Sequence, residues 1–251
     1  MNSKTLYALD FDGVICHSAV ETAMTGWKAA QSLWLDMQQQ MISGQHIRQF
    51  GGIRPCLEFG SEAVLIMRLL QQGIAMSALC EGYHQQLASL VEAEKLDRDE
   101  LQILFGDTRD KQIQQDESVW IDNNPLFEGI VEKLKRLDQD DWFIITTKQE
   151  RFVKRILQSN GIELDEARIF GLERKLNKQS VLEIFSVDYP ERHITFIEDR
   201  LPTLLGVMEN PRLLSIKLQL VDWGYNTELE REQARQKGIE VIGKEDFLCQ
   251  G

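Results

Sequence analysis

The stretch 6-LYALDFDGVICHS-18 indicates the fold and the position of the site. In it, a short apolar run typical of a buried strand ends abruptly on two acids, Asp10 and Asp12, followed by Gly13. Alternate residues of an extended chain point the same way, so the two carboxylates face a common space. Two such charges repel each other and are costly to bury unless something neutralises them. The stretch is therefore either a solvated turn or one side of a cation-binding site, and the rest of the sequence decides between these two interpretations.

The second half of the chain alternates short apolar runs with amphipathic segments. The runs at 142–147, 193–198, 213–221 and 239–242 read as strands, and the segments between them read as helices. Thr147 with Glu150, and Thr227 with Glu230, have the spacing of helix capping boxes. This alternation predicts an α/β fold, a Rossmann-like doubly wound parallel sheet whose chemistry lies at the carboxyl ends of its strands.

The segment that follows the first strand has a different pattern. Residues 17–117 contain few β-branched runs, many Gln, Met, Leu and Ala residues, and apolar positions at helical spacing. We therefore expect an inserted all-helical cap domain of four or more helices over 17–117. The α/β core domain is expected to comprise 1–16 and 118–251.

Polar groups end each predicted core strand, in the order in which the strands occur. Asp10 and Asp12 follow the first strand, and the next strand ends in Thr146-Thr147-Lys148. Glu198-Asp199 ends the strand 193–198, and a basic segment just before the helix "KQSVLEIF" supplies two lysines, Lys175 and Lys178. Each feature alone is a weak signal, but together they predict carboxylates, a hydroxyl group and a lysine around one crevice.

These four motifs resemble those of the haloacid dehalogenase-like superfamily of aspartate-nucleophile phosphohydrolases. The resemblance is greatest to the subgroup with a helical cap after the first strand, such as phosphoglycolate phosphatase and β-phosphoglucomutase. It implies that Asp10 is the nucleophile that becomes an aspartyl phosphate, and that Asp12 is the general acid and base. Thr146 would donate its hydroxyl hydrogen to the phosphoryl group, with Thr147 beside it in the binding site.

The resemblance also implies a lysine at the phosphoryl group and a magnesium ion. Lys178 is the preferred lysine because it begins a helix, and Lys175 is the alternative, since the usual lysine-proline pair is absent. Mg²⁺ would be held by Asp10, the Asp12 backbone carbonyl and the pair Glu198 and Asp199, an all-oxygen set that suits a hard cation.

The resemblance predicts a Mg²⁺-dependent phosphatase that acts on a small phosphorylated metabolite. A phosphomutase uses the same aspartyl phosphate and stays an alternative, as does a non-catalytic scaffold that has kept the fold. A 2-haloacid dehalogenase is disfavoured, because that branch needs neither a metal nor the second aspartate. Arg54, in the stretch 46–62 where glycines and arginines cluster, either contacts a substrate anion or pairs with acids of the chain.

Composition restricts the partners and the compartment. The 251 residues carry a net charge of -12, which argues against nucleic acid and anionic membranes as partners. The four cysteines show no CxxC spacing, so neither a disulfide framework nor a zinc site is expected. No targeting segment or membrane span is recognisable, and a cytoplasmic location is expected. The sequence does not indicate the oligomeric state.

Overall fold

A computed structural model describes residues 4–250, in which six parallel strands form one sheet in the order β3-β2-β1-β4-β5-β6. The strands are β1 Thr5–Leu9, β2 Trp142–Ile145, β3 Ile169–Phe170, β4 His193–Glu198, β5 Lys217–Val221 and β6 Glu240–Ile242. The predicted doubly wound parallel sheet is confirmed. β3 was not among the predicted strands, because two residues are too few to show a periodicity.

β1 and β4 form the centre of the sheet. Their register pairs Leu9 with Ile197, so the two strands end side by side. Every residue of β1 after Thr5 and of β4 after His193 is buried, as expected for strands covered on both faces. Six helices accompany the sheet, namely α8 Ile130–Arg136, α9 Glu150–Ser159, α10 Lys178–Asp188, α11 Leu201–Met208, α12 Glu228–Gln236 and α13 Lys244–Cys249.

The regular elements within residues 18–125 are all helices. The helices are α1 Ala19–Leu33, α2 Gly44–Ile53, α3 Glu62–Gln71, α4 Met76–Glu81, α5 Tyr83–Glu94, α6 Arg98–Gln115 and α7 Glu117–Asp122. They enclose an apolar core of their own, with Trp27, Phe50 and Ile66 among its fully or almost fully buried members.

The chain divides into two compact units, a sheet unit of residues 1–17 and 126–251 and a helical unit of residues 18–125. The second boundary thus lies beyond the expected return at 118, because α7 packs with the helical unit. The Trp120 indole donates to Glu21 Oε1 at 3.2 Å, and Arg109 holds the same buried carboxylate with two hydrogen bonds of 2.7 and 2.8 Å.

Two further observations concern the described chain. No helix within residues 4–250 is both long and apolar enough to cross a membrane. None of the four cysteines forms a disulfide within that range, and only Cys16 is buried.

Candidate active site

The sheet brings the predicted acids together at the carboxyl ends of its two central strands. Asp10 directly follows β1, and its backbone N–H donates to the Ile197 carbonyl at 2.9 Å, which extends the ladder to β4. Glu198 is the last residue of β4, and Asp199 follows it. All three acids are buried. Because the strands are parallel and in register, side chains that are 188 residues apart in sequence meet at one edge.

Lys178 lies at the start of α10 and connects two of these acids. Asn177 caps the helix by accepting a hydrogen bond from the Ser180 N–H at 2.8 Å, which fixes Lys178 as the first helical residue. The Lys178 ammonium donates to Asp10 Oδ1 and to Glu198 Oε2, each at 2.6 Å. Lys175, by contrast, is exposed and adopts a left-handed backbone conformation with φ 54°. Of the two lysines, the structure therefore places Lys178 among the acids.

Three carboxylates converge tightly enough to share a metal ion. One oxygen each from Asp10, Glu198 and Asp199 lies within 4.8 Å of the others. The Lys178 ammonium donates to two of these carboxylates, those of Asp10 and Glu198, and adds one positive charge to a cluster of three buried acids. An all-oxygen, anionic donor set of this kind fits a hard divalent cation such as Mg²⁺.

Burial and charge shift the pKa values within the cluster. Burial raises the pKa of Asp10 to about 7, against the opposing effect of Lys178. Burial alone would also raise the pKa of Glu198, but Lys178 and the backbone N–H groups of Asp199 and Arg200 outweigh it and lower that pKa. The two carboxylates in turn raise the pKa of Lys178 despite its burial, so the lysine stays charged.

A second lysine, which is buried, contacts the other acid of the opening motif. Lys148 donates from Nζ to Asp12 Oδ1 at 3.0 Å, and its side chain is 1% exposed. The sequence places Lys148 at the end of a predicted strand but gives it no role in the site, because a single lysine after a strand is most often a solvated residue. The signal available was only its position, two residues after Thr146 at a strand end.

The two threonines after β2 have different surroundings. Thr146 is buried and accepts a hydrogen bond from the Lys148 N–H at 3.1 Å, which leaves its hydroxyl hydrogen able to serve another acceptor. Thr147 is half-buried. The capping box predicted for Thr147 and Glu150 is wrong, because α9 begins at Glu150 and its N-cap is Gln149. The Glu150 carboxylate is instead engaged by Arg174 and by the Gly171 N–H. The capping box of Thr227 and Glu230 is confirmed.

Arg54 belongs to the helical unit rather than to the sheet unit that carries the acids. It is buried in a short 3-10 helix, Arg54–Cys56. Its expected contact with a substrate stays a prediction.

Gly13 lets the chain turn beneath the acid cluster. Its φ of +93° is a left-handed conformation, and a Cβ atom there would lie 2.0 Å from Asp199 Oδ2. Gly224 is similarly close, since its Cβ would lie 2.4 Å from the Asp199 Cβ. The Tyr225 N–H donates to Asp199 Oδ2 at 2.8 Å. Two glycines and one backbone N–H therefore determine where the Asp199 carboxylate lies.

Solved structures with the same fold exist at low sequence identity. A putative phosphatase from Clostridium difficile is 16% identical with a TM-score of 0.57, over 98% of this chain and 97% of that one. A predicted phosphoglycolate phosphatase from Haemophilus somnus is 15% identical with a TM-score of 0.57, over 96% and 95%. A HAD family hydrolase from Deinococcus radiodurans, with bound phosphate and sodium, is 14% identical with a TM-score of 0.51, over 99% and 94%.

No family model and no curated protein matches the chain. The structural matches confirm the fold that the sequence motifs predicted, namely that of haloacid dehalogenase-like proteins. Since one fold supports several activities, the function has to be argued from the site itself.

Gly13→Ala is expected to destabilise the sheet unit more than a matched glycine substitution does. Gly238 has a similar φ of +81°, but nothing lies within 4 Å of where its Cβ would be. Gly238→Ala should therefore cost only the left-handed backbone strain, about 1–2 kcal/mol. Gly13→Ala adds the collision with Asp199 and should cost about 3 kcal/mol or more. Urea unfolding of both variants measures the difference, and equal losses would contradict the packing described for Asp199.

Proposed function

We propose that this protein, which has the fold of haloacid dehalogenase-like proteins, is a Mg²⁺-dependent phosphatase that hydrolyses a small phosphorylated metabolite. The observation that carries the proposal is the position of Asp10. It is a buried carboxylate at the centre of the sheet, held by Lys178 and adjoining two further acids that fit a metal. Such an arrangement supports an aspartate nucleophile.

In the first step, a carboxylate oxygen of Asp10 forms a bond to phosphorus while the bond between phosphorus and the leaving oxygen breaks. The Asp12 carboxyl group gives its proton to that leaving oxygen. In the second step, water attacks the aspartyl phosphate, Asp12 takes the proton from the water, and the bond between phosphorus and Asp10 breaks. One residue thus acts as acid and then as base, and Asp12 ends each cycle as it began.

The cations and the hydroxyl group near these acids support the same chemistry. The chain as a whole repels anions, so a phosphate ester needs local positive charge to approach. Lys178 supplies that charge beside Asp10, and Thr146 can donate its hydroxyl hydrogen to a phosphoryl oxygen. These groups stabilise the charge that is spread over the transferring phosphoryl group.

Asp10, Glu198 and Asp199 would hold the Mg²⁺, together with the Asp12 backbone carbonyl that the resemblance implies. The fit rests on the donor chemistry, because three buried carboxylates offer oxygen ligands that lie within 4.8 Å of one another, as a hard divalent cation requires. Bound there, the metal would let an anionic carboxylate approach an anionic phosphate.

The substrate class follows from the resemblance and from the size of the helical unit. This unit interrupts the sheet unit between β1 and β2, as the substrate-selecting caps of the resembled subgroup do. One of the similar structures is described as a putative phosphatase and another as a predicted phosphoglycolate phosphatase. These points support a small phosphorylated metabolite, and Arg54 and Thr147 are proposed as residues that contact it.

Substitution of the two motif acids should affect hydrolysis of p-nitrophenyl phosphate in the presence of Mg²⁺. Asp10→Asn should lower kcat by about 10³-fold or more, since it removes the nucleophile. Asp12→Asn should lower kcat by about 10²–10⁴-fold, the usual contribution of an acid–base group. Asp222→Asn is the matched control, because Asp222 is an exposed acid directly after β5. An Asp10→Asn variant with full activity would refute the proposed nucleophile.

Removal of the metal should abolish turnover, and Asp199→Asn should weaken the response to Mg²⁺. The amide oxygen of Asn can still accept from the Tyr225 N–H, so the fold is kept while a charged ligand is lost. Loss of a residue that only supports a metal ligand lowers metal affinity by about 10-fold. Because Asp199 is proposed as a ligand itself, the Mg²⁺ concentration for half-maximal activity should rise by at least about 10-fold. Thermal unfolding of each variant with and without Mg²⁺ provides a readout independent of activity. Equal Mg²⁺ responses in wild type and Asp199→Asn would contradict the assignment.

A further inference from the structure

Lys148 is held in place along its whole backbone. Its N–H donates to Thr146 Oγ1 at 3.1 Å, and its carbonyl accepts from the Leu172 N–H at 3.1 Å. The Thr146 N–H donates in turn to the Phe170 carbonyl at 2.9 Å. The turn after β2 is thus tied to the segment after β3. These contacts fix where the Lys148 side chain starts, and so they direct its ammonium group.

The side chain of Lys148 is almost completely buried, which is rare for a lysine. An ammonium group costs several kcal/mol to remove from water, so its burial is tolerated only where an opposite charge and hydrogen bonds compensate the cost. Lys148 places its Nζ 5.9 Å from the centre of the Phe11 ring and 3.0 Å from Asp12 Oδ1. Its side chain is 1% exposed and that of Asp12 is 17% exposed, so this is not a solvated surface pair.

The two acids of the opening motif have separate lysines. Lys178 donates to Asp10 and Glu198, whereas Lys148 donates to Asp12. Lys178 therefore contacts the proposed nucleophile and a proposed metal ligand, whereas Lys148 contacts the proposed acid–base residue. The two lysines come from different segments, the turn after β2 and the start of α10.

We propose that Lys148 is a positioning residue for Asp12, an inference that rests on the proposed phosphatase function. By holding Oδ1, Lys148 fixes the plane of the Asp12 carboxyl group. Proton exchange with the leaving oxygen and with water then runs through Oδ2. The same orientation serves both steps, because Asp12 first donates and later accepts a proton at the same place.

Orientation of this kind has a measurable effect on the rate. A displacement of about 1 Å in a catalytic group can cost about 10²-fold, and an acid–base group contributes about 10²–10⁴-fold in all. Lys148→Met keeps the apolar stem and removes the ammonium group. It should lower kcat by about 10²-fold and change KM by less than about 3-fold, because the lysine acts on proton transfer rather than on substrate binding. Lys148→Arg, which keeps the cation, should recover part of the loss.

A double-mutant cycle tests whether Lys148 acts through Asp12. The proteins are wild type, Asp12→Asn, Lys148→Met and the double variant, assayed with p-nitrophenyl phosphate and Mg²⁺. When two residues act as a unit, their effects are not additive. Once Asp12 has been replaced, Lys148→Met should therefore change kcat by less than about 3-fold. Lys154→Met is the matched control, since Lys154 pairs with Glu166 on the surface of α9.

The outcomes separate this inference from the proposed function. Wild-type turnover that Asp10→Asn abolishes supports the function irrespective of Lys148. The inference is then overturned if Lys148→Met keeps kcat within about 2-fold of wild type, or if it costs the same factor with and without Asp12. If Lys148→Met alone fails to fold, the comparison of Asp12→Asn with the double variant decides, because the amide of Asp12→Asn can still accept the Lys148 hydrogen bond and the double variant removes both charges. No turnover in the wild type would overturn both the function and the inference.

Discussion

The requirement that shapes this molecule is electrostatic: Asp10, Glu198 and Asp199 bring carboxylate oxygens within 4.8 Å of one another in the protein interior. Buried carboxylates are tolerated only when cations and hydrogen-bond donors surround them. The fold supplies these from several directions. Lys178 reaches in from the start of α10, the Tyr225 N–H meets Asp199, and Gly13 leaves the space that the Asp199 carboxylate occupies. Each of these features neutralises, binds or makes room for one of the acids, and this role is recognisable only when the acids are seen together.

A parallel sheet is what makes this concentration of charge possible. Because all six strands run in one direction, residues that follow different strands collect at the same edge. The site is therefore assembled from short segments far apart in sequence, each placed by its own strand or helix cap. The residues that follow the strands can therefore differ between proteins while the core of the sheet stays the same. For this reason the fold alone does not define a reaction.

Much of the sheet unit could be predicted from the sequence, since β1 and β4 are continuous apolar runs that end on acids. The choice of Lys178 over Lys175 was also within reach, because a residue just after Asn177 begins a helix. Other features depend on contacts between distant segments. β3 has only two residues, and nothing near Lys148 in the sequence announces its pairing with Asp12.

Two errors of local interpretation have the same physical origin. Thr147 has the spacing of a helix cap, but the Lys148 carbonyl is engaged by the Leu172 N–H and the helix begins later, at Glu150. The return to the sheet unit was expected at 118, but Trp120 is bound to Glu21 and keeps α7 in the helical unit. In both cases a tertiary contact outweighed a local pattern.

The central claim, that Asp10 carries the phosphoryl group, can be tested by trapping the intermediate. Turnover is quenched in acid, the aspartyl phosphate is reduced with borohydride to homoserine, and the tryptic peptide of residues 5–28 is sequenced by mass spectrometry. Asp12→Asn serves as a parallel sample, because slower hydrolysis should increase the trapped fraction. The account predicts homoserine at position 10 only, dependent on substrate and Mg²⁺. Homoserine at position 12, or none at either position during steady turnover, would contradict it.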